Sequence, residues 1–222
     1  AGTTVTVVDG KVNDAFVGMY TSQLQALVVD SMFEPVNDTS WQYPIVNSTV
    51  FRYLELQGDY LVDLPLTLPS LLVVKLSPTS SLVQAPNCTV VNITRFTGAI
   101  QMAGHYSGVI GGTINTSLLP TPNGSRGLLA VAIQGGTYNF VRGVRAQGYS
   151  DTCIGVNTGH SHEVSGCDSG GDAVSPMAGR GIWVLASSRV MVHDNYVHHC
   201  KSHALDFDAY TSSSAAFNNL CT

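Results

Sequence analysis

Five short segments of this chain can be laid over one another, and they recur at a near-constant interval. They are Val109-Ile-Gly-Gly-Thr-Ile114, Asn139-Phe-Val-Arg-Gly-Val144, Glu163-Val-Ser-Gly-Cys167, Val192-His-Asp-Asn-Tyr-Val197 and Ala215-Ala-Phe-Asn-Asn-Leu220. Their last residues are spaced 30, 23, 30 and 23 apart, and the two longer intervals contain Pro- or Gly-bearing insertions at 119–127 and 175–179. A period near 23 with insertions confined to turns is the pattern of a solenoid, in which each repeat buries its apolar face only against its neighbours. A second set of strands keeps step with the first: Leu129-Ala-Val131, Ile154-Gly-Val156, Ile182-Trp-Val184 and Leu205-Asp-Phe207. In each, the flanking apolar residues point inward and the middle residue points outward, because side chains alternate along a strand.

Composition agrees. Only 11% of residues are charged, while the chain contains 22 glycines, which suits an all-β protein with many turns. The formal net charge of −5 argues against nucleic acid, which selects a basic face. No apolar run is long enough to span a bilayer. We therefore expect a single-stranded right-handed parallel β-helix over residues 58–222. Residues 1–57 are expected to form an N-terminal cap, since an uncovered end would expose strand edges. Within that cap, Phe16, Tyr20, Leu24, Leu27 and Val28 have helical spacing between Val12 and Met32, with Asn13 or Asp14 as the cap residue. The last matched segment begins a coil whose second strand is missing, so the chain reads as a fragment or as one completed by another chain.

Six of the twelve asparagines lie in glycosylation sequons: Asn37, Asn47, Asn87, Asn92, Asn115 and Asn123. They point to a secreted, extracellular glycoprotein, the alternative being accidental matches in a Ser/Thr-rich bacterial protein; an N-terminus at Ala1 fits a processed or a trimmed chain alike. All six precede residue 125, leaving the second half as the expected working surface. Of five cysteines, Cys200 and Cys221 fall near the same position in successive coils and are expected to bridge. Cys153–Cys167 is the second candidate, and Cys88 has no assigned partner. An odd count fits a missing partner, a bond between chains, or a free thiol.

The phrases Gly58-Asp-Tyr-Leu-Val62, Gly181-Ile-Trp-Val-Leu185 and Arg189-Val-Met-Val-His-Asp-Asn-Tyr-Val-His-His199 resemble the coils of the pectin-lyase-like superfamily of right-handed β-helices. The resemblance covers roughly residues 58–222. It implies the fold and leaves a range of activities open: polysaccharide lyases, hydrolases and epimerases, tailspikes, adhesins and structural surface proteins. The hydrolases of that superfamily combine Asp residues with Gly-His and Arg-Lys motifs. Here Gly159-His160 is present, and neither Arg-x-Lys nor an adjacent Asp pair is. The Asp-Pro-His-Glu signature of its epimerases is also missing.

Stacking the second strand set gives one candidate site. Outward Trp183 falls one rung from Asp206, Leu185 beside Asp208, and Arg180 beside His203. An aromatic platform next to carboxylates and a cation can grip a sugar ring and its hydroxyls. Asp206 and Asp208, at i and i+2 on one face, could divide acid and base work on a glycosidic bond. Arg180 could neutralise a uronate and His203 remove a proton. The plainer readings are two solvated acids at a turn and a Trp packed under a loop or neighbouring chain. His160-Ser-His162 resembles a metal pair only in spacing and lacks a third ligand, so turn histidines are the simpler reading. His198 and His199 are adjacent and should face opposite ways on a strand. Asn195 and Asn218 or Asn219 recur at a corner and fit a structural hydrogen-bonded ladder. No cofactor and no metal is implied. Two function classes stand: a domain that binds or processes polysaccharide, and a structural or adhesive glycoprotein that self-associates.

Overall fold

In the computed structural model the chain is a right-handed parallel β-helix. The structure describes residues 4–8, 19–29, 52–85, 96–116, 128–147, 152–171 and 179–222. Three sheets run along the axis. The first contains β1 (Thr4–Val8), β3 (Arg52–Gln57), β6 (Leu72–Leu76), β9 (Gly108–Ile110), β12 (Phe140–Arg142), β15 (Glu163–Ser165), β18 (Met191–His193) and β21 (Ala215–Phe217). The second contains β2 (Met19–Tyr20), β4 (Asp59–Val62), β7 (Ser81–Gln84), β10 (Thr113–Asn115), β13 (Arg145–Gln147), β16 (Asp168–Gly170), β19 (Tyr196–His198) and β22 (Leu220–Cys221). The third contains β5 (Leu66–Leu68), β8 (Gly98–Met102), β11 (Leu129–Gln134), β14 (Thr152–Asn157), β17 (Arg180–Leu185) and β20 (Leu205–Phe207). Every pairing within them is parallel.

The core is built from columns of like residues on successive rungs. One column of the first sheet stacks Leu54, Val74, Val109, Val141, Val164 and Val192, all buried. Branched side chains suit this position because they pack along a pleated face with little rotamer entropy to lose. Corners repeat as well as strands. Between the third and first sheets, Tyr106, Tyr138, Ser161, Arg189 and Ser213 occupy equivalent positions, with φ of 57°, 58°, 61°, 54° and 52°. Left-handed backbone is costly for such residues, so the sharp bend is imposed by strand pairing on either side. At the corner between the first and second sheets the same conformation falls on Gly143, Gly166, Asp194 and Asn218, residue types that adopt it readily.

The structure departs from the expected registers by one or two residues. Ile114 pairs with Ala146, then Ser169, Val197 and Cys221, where the sequence alignment had Val144, Cys167 and Leu220. In the third sheet Val131, not Leu129, pairs with Ile154. A slip of two keeps every side chain on its face, so the pattern alone could not detect it.

The slip matters for the cysteines. Because Val197 pairs with Cys221, Cys200 lies three residues further along its coil. Both expected bridges are overturned: Cys153, Cys167, Cys200 and Cys221 are free thiols. Cys153 belongs to the third sheet and Cys167 to the corner leading into the second, each thiol facing a backbone carbonyl. Burial pushes the Cys153 thiol up to about 12 and the Cys167 thiol to about 11, so neither is reactive. Cys88 lies outside the described residues.

Before residue 58 the chain already supplies β1, β2 and β3 to the same sheets. It also forms a helix, α1 (Thr21–Val29); within the expected span Met19–Tyr20 is strand β2 instead, and the remainder lies outside the described residues. Its first turn is capped from another coil, where Asp63 accepts from the Ser22 amide at 3.0 Å and the Ser22 hydroxyl at 2.5 Å. Asn13 and Asp14, the expected caps, lie outside the described residues, as do Asn37, Asn47, Asn87, Asn92 and Asn123. Asn115 is described: it ends β10, half-buried. Among the described residues no helix is long and apolar enough to cross a membrane.

Candidate functional site

The expected third-sheet constellation forms with the expected neighbours and a different chemistry. Trp183 pairs with Asp206 across β17 and β20, and the Gly181 amide donates to the His203 carbonyl at 3.0 Å, which sets Arg180 beside His203. Trp183 does point away from the core, but it is only 1% exposed. Phe96 stacks on its ring at 4.7 Å, and the Arg180 guanidinium lies over it at 4.3 Å. Gly155, one rung before Trp183, makes room for this cover, since a Cβ there would meet Leu129 Cδ2 at 2.5 Å and Phe96 Cδ1 at 2.8 Å. The ring is thus a packing residue, with no face free for a sugar. The sequence could not show this, because Phe96 reaches it from three coils earlier.

Arg180 spends its charge on Asp206, its Nε donating to Oδ2. Asp208 is exposed and accepts from the Ala209 amide at 2.7 Å, an ordinary turn contact. His203 is exposed and bonded to the Ser202 hydroxyl at 2.7 Å. Of the five residues, Arg180, Trp183 and Asp206 form a closed staple, and His203 and Asp208 bond only to their chain neighbours.

A more open site lies around the corner, where the third sheet turns into the first. A groove of about 550 Å³ is lined by Tyr138, Phe140, Arg142, Glu163, Arg189 and Met191, among others. Tyr138, 39% exposed, stacks on Tyr106 at 4.9 Å with planes 9° apart, and the edge of His160 meets it at 6.1 Å. These rings form an aromatic shelf climbing successive coils. In the groove Glu163 holds Arg142 bidentately, at 3.0 Å to Nε and 2.6 Å to Nη2, and accepts from Ser165 Oγ at 2.7 Å. His193 Nε2 stands 3.5 Å from the same carboxylate. Burial would raise the Glu163 carboxyl, but the Arg142 and Ser165 bonds outweigh it and hold it below the ordinary glutamate range. It is a fixed anion, not a proton donor. Arg189 is exposed and has no ion-pair partner among the described residues.

His162 closes the inner wall of the groove. It is buried, accepting the Asn139 amide on Nδ1 at 3.3 Å and directing Nε2 to the Thr158 carbonyl at 3.3 Å. His160 is exposed, so the two do not act together. Among the described residues no group of three His, Cys, Asp or Glu is arranged for a metal. Residues 138, 142 and 189 were missed as site residues. For 138 and 189 the available signal was Tyr or Arg at an obligatory left-handed corner, which needs the true register to be seen; Arg142 lies within β12 and carried no such signal.

The fold and the groove define a parallel β-helix with an aromatic-edged cleft on its flank that holds an ion pair. Among solved structures the chain is similar to a crystal structure from Parabacteroides merdae named a "putative glycosyl hydrolase", with a TM-score of 0.60 and 14% identity, over 77% of this chain and 81% of that one. At that identity the likeness shows the fold alone. No family model matches the sequence, and no curated protein does.

Proposed function

We propose that this chain is an extracellular glycoprotein β-helix domain, pectin-lyase-like in fold, that binds polysaccharide in the groove beside Tyr138. The observation that carries the reading is the Tyr106–Tyr138 shelf flanking a cleft furnished with a fixed carboxylate–guanidinium pair. A sugar ring stacks its C–H face on such a shelf, while Arg142, Glu163 and Arg189 meet its hydroxyls or acidic groups. The likeness in fold to a protein named as a glycosyl hydrolase supports the same class. For the processing half of the reading, Asp206, Asp208 and His203, with Arg180 as cation, are the proposed proton-transfer groups, on the third-sheet face apart from this groove.

The test is a glycan array with Tyr138→Ala and Asp206→Asn beside the wild type. Tyr138→Ala should weaken binding about tenfold or more, on the scale of a lost stacking contact, and leave thermal unfolding within a few degrees. Asp206→Asn should spare binding, and if Asp206 acts catalytically it removes turnover. Peptide mass spectrometry of native material should find glycan on several of the six sequons; six bare asparagines would remove the extracellular part.

A structural or adhesive role is the second reading, favoured by the burial of Trp183. It expects wild type and both variants to be equally silent on the array.

A further inference from the structure

On the outward face of the second sheet, at the end of β19, the rings of His198 and His199 meet. Strand alternation would send adjacent side chains to opposite faces. Here His199 has φ of 51°, and this left-handed bend brings its ring back onto its neighbour. The two Nδ1 atoms stand 2.7 Å apart, with the rings edge to face at 5.0 Å. On its other side, His198 Nε2 is 2.8 Å from Asp168 Oδ1. A carboxylate there holds the Nε2–H tautomer, so His198 Nδ1 accepts from the His199 Nδ1–H, a proton that a metal would displace to take up both nitrogens. Tyr196 stacks on His198 at 4.7 Å and fixes its ring plane. His199 is exposed, so the pair is open to solvent.

We propose that His198 and His199 form a bidentate surface site for a divalent transition metal of square-planar or octahedral preference, Ni²⁺ or Cu²⁺ in chemical class. Imidazole nitrogens bind at about 2.0–2.1 Å, so a 2.7 Å bite subtends about 80–85° at the metal. A right-angled geometry asks for nitrogens about 2.9 Å apart and a tetrahedral one for about 3.3 Å, so the bite fits the former and strains zinc. Water fills the remaining positions. Asp168 acts through His198 as a positioning residue: it fixes tautomer and orientation and does not itself coordinate. This site is remote from the groove and independent of the glycan reading.

The experiment is calorimetric titration of the full chain, free of any polyhistidine tag, with Ni²⁺ and separately with Zn²⁺. Nickel is the better probe because Cu²⁺ would oxidise the exposed Cys221 thiol. We expect one Ni²⁺ per chain, bound more tightly than Zn²⁺. His199→Ala, at an exposed position, should weaken Ni²⁺ at least tenfold. Asp168→Asn should weaken it about 10–100-fold, the usual cost of losing such a partner. His105→Ala, at an exposed histidine elsewhere on the surface, should leave it unchanged. Nickel binding that is absent from the wild type, or equal in wild type and His199→Ala, overturns the proposal. A preference for Zn²⁺ overturns the geometric part.

Discussion

His162 is the residue whose environment departs furthest from water. Burial removes the hydration that an imidazolium needs, so its pKa is lowered to about 4. His160 and His105 add like-charge repulsion, while the backbone bonds to Thr158 and Asn139 only partly offset the burial. Above pH 6.5 the ring is neutral in the folded and unfolded chains alike, and full stability is present. As pH falls through 6.5 the unfolded chain gains a proton that the folded chain refuses until about 4, so stability is lost across that window. The loss is about 3 kcal/mol by linkage. Urea unfolding at pH 7, 5.5 and 4.5 should show a steeper decline for wild type than for His162→Asn, in which that titration is gone. Parallel declines would show that the ring is hydrated. In the sequence this residue read as half of a metal pair or as a turn histidine. Its spacing was visible, and its direction was not, because only the corner geometry turns 162 inward and 160 out.

At the scale of the element, the corner asparagines behave as the sequence reading required. Asn195 accepts the Cys167 amide at 2.9 Å and donates from Nδ2 to the Val164 carbonyl at 3.0 Å and Asn219 Oδ1 at 2.9 Å. Asn219 repeats the pattern by donating to the Val192 carbonyl at 2.9 Å. Each side chain thus satisfies backbone groups that the bend takes out of the sheet ladder. Asn195→Ala should cost about 2–3 kcal/mol, since it strands a buried N–H and a buried carbonyl. Its signature is local: the Cys167 amide should lose hydrogen-exchange protection before its neighbours in β14 and β17 do. Uniform loss along the coil would mean that the ladder is not the support. The ladder was legible because its residue type and its recurrence agree. The cysteine pairing was not, because Cys200 and Cys221 lie outside the apolar positions that set the alignment, and in the structure Val197, not Cys200, stands opposite Cys221.

For the molecule as a whole, stability should vary along the axis. Interior rungs such as β11, β14 and β17 are paired on both sides and their inward side chains are buried. The coil of β20, β21 and β22 is paired on one side only, and Phe217 and Leu220 on it are 46% and 60% exposed. A solenoid's stability is close to a sum of coil and interface terms, so a coil with one interface should open first. Hydrogen exchange should proceed fastest in β20–β22 and slowest in β11–β17. A single rate throughout would show cooperativity beyond nearest neighbours. Any added layer that covers Phe217 and Leu220 should slow exchange in that coil specifically.

What the sequence determined by itself was what repeats: the strand segments, the inward and outward faces, the asparagine corner and the rung neighbours Trp183 and Asp206. Each of these follows from alternation along a strand or from the local backbone needs of a turn. Tertiary structure decided what depends on contacts between distant coils. Phe96 folding over Trp183 turns a prospective sugar platform into core, and Asp63 caps a helix 41 residues away. The left-handed bend at His199 brings together two rings that alternation would separate. Covering and capping are fixed by packing between coils, and packing between coils depends on a register that alternation leaves free by steps of two residues.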